Sequence, residues 1–212
     1  MQIAGKDQGL KLLGVLFMVI DHVGAILFPE LVFLRVIGRL SFPVFAYECA
    51  KGAVFSRDIP KYMARLAVFS LVSQMPYYLC FGYGSLNIGF TLLYGLTCCV
   101  LWRKGGIYRL FSALLLAASF KLAFLNYGVY GIAAIFLFYI FYNDKIYASL
   151  AFVLATFVYA YSKGIHIQLF AVFSLAIIYS AKNFNVKLPK YFFYIFYPVH
   201  LFAIYIVKVF II

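Results

Sequence analysis

The sequence predicts an all-α protein, a polytopic transmembrane bundle of about nine helices that span the membrane or enter it partway. Apolar residues make up 67% of the 212 residues and charged residues only 11%, whereas soluble domains carry roughly half apolar and about a quarter charged residues. The apolar residues are also grouped into long runs, several of them near the length of about 20 residues that crosses a bilayer as a helix. A soluble globule is therefore excluded, and we expect residues 1–212 to form a single transmembrane domain.

Short turn sequences separate the apolar segments. In chain order the segments cover residues 9–28, 31–55, 61–82, 88–102, 107–125, 127–142, 146–161, 165–181 and 191–211. The turns between them contain Pro29-Glu30, Gly82-Tyr83-Gly84-Ser85, Gly105-Gly106, Asn143-Asp144 and Lys187-Leu188-Pro189, residue types that end helices. Several middle segments have only about 15–17 residues, so we expect these to cross a thinned bilayer or to enter only partway.

The basic residues predict the orientation of the chain. Lysine and arginine outnumber aspartate and glutamate by 18 to 6, and most lie in the short gaps between segments. Sorted by alternate gaps, twelve basic residues fall on one side and three on the other. Cytoplasmic gaps carry the excess of basic residues, so we predict an N-in/C-out topology. In this setting the charge indicates contact with anionic membrane lipid rather than with nucleic acid.

The four cysteines, Cys49, Cys80, Cys98 and Cys99, lie in or beside apolar segments without CxxC spacing. We expect buried free thiols and no metal site.

Ionisable residues inside spanning segments are costly and usually functional, so they define the candidate site. In the first segment, Lys11 and His22 are eleven residues apart, which places them on one helix face about 16 Å apart. Asp21 lies about 100° away from His22 around the same helix and is expected to pair with an arginine or to orient an imidazole of another helix. The alternative is a structural polar pair inside the bundle.

Arg35 and Arg39 lie four residues apart in the second segment and so share a face, where two guanidinium groups repel each other. An anion between them is needed: Asp21, or a bound phosphate or carboxylate. Because Asp21 is the one carboxylate at matching depth, we expect at least one arginine to remain for a ligand. The alternative is that both arginines reach the outer headgroups. Gly38 between them permits close helix approach.

His200 follows Pro198 in the last segment, where a proline kink is expected to carry the imidazole toward the interior. The alternative for a lone histidine is a hydrogen-bonded core residue. Gln74 and Asn87 are neutral polar candidates for orienting or binding a substrate. An imidazole beside cationic groups fits acyl transfer from a thioester, but the same groups also fit proton-coupled transport.

Five stretches of the sequence resemble the TraX family. They are Ile20-Asp21-His22-Val23-Gly24, residues 34–47 (LRVIGRLSFPVFAY), Ser73-Gln74-Met75-Pro76, Leu86-Asn87-Ile88 and Tyr197-Pro198-Val199-His200-Leu201. The resemblance implies a multi-pass inner-membrane protein that acetylates the N-terminus of a pilin, with acetyl-CoA as donor. The family resembles the membrane acyltransferases that include the O-antigen acetyltransferases, in which a basic residue precedes an essential histidine by eleven positions. Lys11 and His22 match this spacing, with lysine in place of the usual arginine.

These observations lead to one main hypothesis: a transmembrane acyltransferase-like domain. His22, Asp21 and His200 are the expected catalytic residues, and Arg35, Arg39, Gln74, Asn87 and Lys11 the expected substrate-binding residues. The expected partners are membrane lipid and an acetyl acceptor such as a pilin-like peptide or a glycan. The alternatives are a small proton-coupled transporter or flippase, and a non-catalytic protein of pilus assembly.

Overall fold

The computed structural model describes residues 8–122, 124–180, 186–189 and 191–210, and this part of the chain is helical, which confirms the all-α prediction. The helices are α1 (Gly9–Ile26), α2 (Val32–Gly38), α3 (Ser41–Phe55), α4 (Ile59–Phe81), α5 (Ile88–Lys104), α6 (Ile107–Ala118), α7 (Gly128–Ile140), α8 (Lys145–Lys163), α9 (Ser174–Ser180) and α10 (Phe192–Phe210). Two 3-10 helices, Ser119–Lys121 and His166–Phe173, continue α6 and precede α9. Within these residues the only β-type pairing is an isolated bridge between Leu86 and Leu125.

Three of the described helices are long and apolar enough to cross a membrane: α1, α8 and α10, with 18, 19 and 19 residues. Two stretches are apolar but shorter, Gly128–Ile140 and His166–Ser180. This pattern fits a membrane protein.

Three predicted segments are not single α-helices. Segment 31–55 is divided into α2 and α3. Helix α2 ends with a hydrogen bond from the Leu40 amide to the Ile37 carbonyl. Pro43 lies in the first turn of α3, where its missing N–H is tolerated. Segment 107–125 changes to a 3-10 turn after Ala118. Segment 165–181 begins with eight residues of 3-10 helix before α9, an unusually long stretch of this geometry.

The chain forms two compact units, and the boundaries between them fall within α3 and α8. The first unit comprises residues 1–45 and 156–212, and the second comprises residues 46–155. In the first unit, α1 packs against both α2 and α10, and α2 also packs against the 3-10 helix His166–Phe173. Gly24 allows the close approach of α1 and α2, since a Cβ at this position would lie 2.6 Å from the Cβ of Leu34.

The second unit is arranged around α5, which packs against α4, α6 and α7. Gly95 of α5 lies against Ile135 of α7, where a Cβ would be 2.6 Å from the Cδ1 of that side chain. The four cysteines belong to this unit and are buried thiols outside any disulfide of the described residues, as predicted.

Candidate active site

Two histidines from opposite ends of the chain meet in the first unit. His22 Nδ1 lies 2.8 Å from His200 Nε2, and the two rings are nearly parallel, 11° apart. The other ring nitrogen of His200, Nδ1, lies 3.1 Å from the backbone carbonyl of Phe196. Tyr197 packs edge-on against both imidazoles. His200 is buried and His22 half-buried, so the pair is embedded between α1 and α10.

Asp21, the residue before His22, forms ion pairs with both Arg35 and Arg39. Asp21 Oδ2 lies 2.8 Å from Arg35 Nη1, and Asp21 Oδ1 lies 2.5 Å from Arg39 Nη2. Asp21 therefore contacts both arginines, and the expectation that at least one arginine remains for a ligand stays a prediction. A carboxylate has two oxygens, each able to accept from a different guanidinium. One negative charge nevertheless faces two positive charges, so these three side chains carry a net charge of about +1.

Arg39 is the inner arginine of this cluster, and its burial excludes the alternative that it reaches the headgroups. Its Nε donates to the Arg35 carbonyl at 3.3 Å, and its Nη1 donates to Gln168 Oε1 at 3.4 Å. Gln168 is fully buried in the 3-10 helix His166–Phe173 and is a member of the site that sequence reasoning missed. The available signal was an amide within an otherwise apolar segment, the same signal that identified Gln74 and Asn87.

Arg35 is the outer arginine, with 31% of its side chain exposed. Its Nη1 donates twice to Asp21, to the carboxylate and to the backbone carbonyl at 2.9 Å. Within the described part of the chain, Nε and Nη2 of Arg35 form no hydrogen bond or ion pair. Because these two nitrogens can still donate hydrogen bonds, the half-exposed guanidinium is suited to bind a carbonyl, carboxylate or phosphate oxygen.

Lys11 lies three helical turns before His22 on α1 and has a different neighbour. Its Nζ is 6.0 Å from the ring centroid of Phe193, at the start of α10. Lys11 thus contacts the first residues of α10, while His22 contacts the middle of the same helix. This order of contacts shows that α1 and α10 run parallel.

The remaining two candidate residues, Gln74 and Asn87, belong to the second unit and bind each other. Asn87 Nδ2 donates to Gln74 Oε1 at 2.7 Å and to the Ser70 carbonyl at 2.7 Å, while its Oδ1 accepts from the Gly89 amide at 2.8 Å and caps α5. Gln74 Nε2 donates to the Ser85 carbonyl at 3.1 Å. Both amides are engaged in fixing the turn between α4 and α5, and their role in substrate binding stays a prediction.

Taken together, the first unit contains a hydrogen-bonded imidazole pair, and directly beside it in sequence a cationic cluster with a half-exposed arginine. An imidazole can accept and return a proton near neutral pH. Guanidinium donors can stabilise negative charge that develops on a carbonyl oxygen. This arrangement has the groups that acyl transfer requires.

The chain is similar to proteins of two bacteria, and a family model matches most of its length. A protein named probable fimbrial assembly protein FimC, serogroup H1, from Dichelobacter nodosus is 24% identical over an alignment 230 positions long, gaps included, which covers 91% of each chain. An uncharacterized protein of Rickettsia prowazekii (strain Madrid E) is 38% identical over 66 residues, which cover 31% of this chain and only 25% of that protein. No solved structure matches the chain. The family model of TraX protein matches residues 6–208, nearly the entire sequence. The chain therefore belongs to the TraX family.

Proposed function

We propose that this protein is an integral membrane acetyltransferase that moves an acetyl group from acetyl-CoA to an amine or hydroxyl acceptor at the outer face of the inner membrane. The observation that carries the proposal is the 2.8 Å contact between His22 and His200 directly beside the Asp21–Arg35–Arg39 cluster. Membership of the TraX family and the fimbrial relative support a pilin-like peptide as the acceptor, and a glycan is the second acceptor to test.

In the proposed reaction one imidazole accepts and returns the proton, and Arg35 stabilises the negative charge that develops on the acetyl group. The acceptor nitrogen or oxygen forms a bond to the acetyl carbonyl carbon and gives its proton to an imidazole nitrogen. Arg35 binds the carbonyl oxygen as negative charge develops on it. The carbon–sulfur bond then breaks, and the thiolate of CoA leaves with the proton that the imidazole held. Asp21 and Arg39 keep Arg35 in place.

The proposed topology is a multi-pass, N-in/C-out arrangement in which the nine apolar segments cross or enter the membrane. The parallel course of α1 and α10 supports it, since two parallel spanning helices cross in the same direction. The first residues of α1 and the last residues of α10 then lie at opposite sides of the membrane. The excess of basic residues in alternate gaps places the first of these ends in the cytoplasm, where acetyl-CoA is available.

Label transfer in proteoliposomes tests the proposal. Purified full-length protein receives acetyl-CoA labelled in the acetyl group together with an acceptor, either a peptide with a free N-terminus or a sugar. We expect labelled acceptor and free CoA from the wild type, and both to form far more slowly with His22→Ala. The matched control is His166→Gln, because His166 is an exposed histidine. A proton flux without loss of the thioester would instead establish the transport alternative and overturn the enzyme proposal.

A further inference from the structure

The hydrogen bonds that link the Phe196 carbonyl, His200 and His22 determine which ring nitrogens donate and which accept. The Phe196 carbonyl can only accept, so the contact of 3.1 Å requires that Nδ1 of His200 carries the hydrogen and donates it. In a neutral imidazole one nitrogen donates and the other accepts. With Nδ1 protonated, Nε2 of a neutral His200 is the accepting nitrogen.

The same reasoning continues across the contact between the rings. His22 Nδ1 and His200 Nε2 are 2.8 Å apart, so one of them donates to the other. Since His200 Nε2 accepts, His22 Nδ1 is the donor. A neutral His22 then carries its lone pair on Nε2, because the tautomer of a histidine is set by the bond that its other nitrogen makes.

The charges nearby favour this neutral arrangement over a protonated pair. His200 is buried, with 8% of its surface exposed, and it stacks against Phe196. The adjacent cluster of Asp21, Arg35 and Arg39 already has more positive than negative charge. A further positive charge on a buried imidazole would have no carboxylate partner among the described groups of the site, since Asp21 is shared by two arginines.

We propose that His200 is a positioning residue that fixes the tautomer of His22 and so makes Nε2 of His22 the proton acceptor of the site. As part of the acetyl transfer proposed above, on which this inference rests, Nε2 takes the proton of the attacking amine or hydroxyl and later gives it to the departing thiolate. His22 Nδ1–H keeps donating to His200 Nε2 throughout, and the Phe196 carbonyl keeps the ring of His200 in place. His200 itself exchanges no proton with a substrate.

The ring nitrogens can be observed directly by NMR. Full-length protein with [15N]histidine in nanodiscs has three histidines, and His166→Gln and His200→Gln assign the signals. We expect both His22 and His200 to be protonated at Nδ1 and unprotonated at Nε2 at neutral pH. A hydrogen on Nε2 of His22, or on both nitrogens of His200, would overturn the inference. This measurement needs no activity, so it separates failure of the tautomer assignment from failure of the acetyltransferase proposal.

Two substitutions of His200 test the positioning role by rescue. In His200→Gln, the side-chain oxygen is as many bonds from Cα as Nε2 and can accept from His22 Nδ1; in His200→Leu no acceptor is present. We expect His200→Gln to keep acetyl transfer within about tenfold of wild type and His200→Leu to lose about 10²-fold. Equal losses in both variants, with wild-type melting temperatures, would contradict the positioning role. If His200→Leu does not fold, the rate of His200→Gln and the ring-nitrogen spectrum decide the matter.

Discussion

Gly38 lies against the side chain of Asp21, so close that a methyl group on its Cα would be 2.6 Å from the carboxylate carbon. The carboxylate occupies this space while it binds Arg35 and Arg39. The glycine between the two arginines thus provides room for the anion that both of them need. This contact couples the packing of α1 and α2 to the chemistry of the site.

Substitution of Gly38 by alanine is the first test. The added methyl group must displace the Asp21 carboxylate, and overpacking of this kind costs about 1–3 kcal/mol. We expect Gly38→Ala to lower the free energy of unfolding by this amount and to lower acetyl transfer as well. The control is Gly84→Ala, because a Cβ at Gly84 would meet no atom within 4 Å. Equal melting temperatures for Gly38→Ala and wild type would show that the Asp21 position is not constrained as described.

Removal of the shared carboxylate is the second test. In Asp21→Asn two neighbouring guanidinium groups lose their counter-charge, and their side chains are only 31% and 9% exposed. Breaking a buried ion pair by removal of one partner costs about 3–5 kcal/mol. Thermal unfolding in detergent measures this effect. The matched control is Asp58→Asn, since the Asp58–Lys61 pair is exposed and its loss should not change the melting temperature measurably. Similar melting temperatures for the two variants would contradict the buried cluster.

Arg35 should matter for rate more than for stability. Arg39 and Gln168 keep their contacts when Arg35 is replaced, whereas the donors that face the ligand are lost. We expect Arg35→Met to lower acetyl transfer by about 10²–10³-fold, the usual effect of removing a donor to a developing oxyanion. The melting temperature should fall less than in Asp21→Asn. Lys163→Met serves as control because Lys163 is exposed at the end of α8. An unchanged rate for Arg35→Met would remove Arg35 from the mechanism.

Replacement of Asn87 should lower the free energy of unfolding and leave substrate binding unchanged. Its side chain is fully buried and bonded to Ser70, Gln74 and Gly89. We expect Asn87→Leu to cost about 1–3 kcal/mol of unfolding free energy for the groups left unsatisfied, with an unchanged KM for acetyl-CoA. The exposed turn residue Asn143 provides the control, as Asn143→Leu. A raised KM at an unchanged melting temperature would instead support Asn87 as a substrate-binding residue.

The sequence predicted those features that depend on residues of a single helix or of two helices joined by a short turn. Apolar runs located the helices, and the scarcity of charge in them singled out Asp21, His22, Arg35 and Arg39. The partnership of Asp21 with the arginines was also predictable, because a turn of few residues joins their segments. The sharing of one carboxylate by both arginines was not predictable, since spacing fixes a face and an approximate depth but not the direction of each lone pair.

The contact between His22 and His200 could not be predicted from the sequence. The two residues are 178 positions apart, and helical periodicity relates only residues of the same helix. Gln168 carries the same signal as Gln74 and Asn87, an amide within an apolar segment, but its contact with Arg39 joins residues 129 positions apart and is not visible in the sequence. Gln74 and Asn87 were found, but a buried amide that fixes a turn and one that binds a ligand have the same appearance in a sequence.

The initial rate of CoA release is the measurement that tests the central claim most directly. Wild type, His22→Ala and His166→Gln are reconstituted in equal amounts with acetyl-CoA and the N-terminal peptide of a pilin. We predict that wild type and His166→Gln release CoA together with acetylated peptide, and that His22→Ala is slower by about 10²–10⁴-fold, the contribution typical of a general base. Equal rates for His22→Ala and wild type would contradict the assignment of acetyl transfer to the His22–His200 pair.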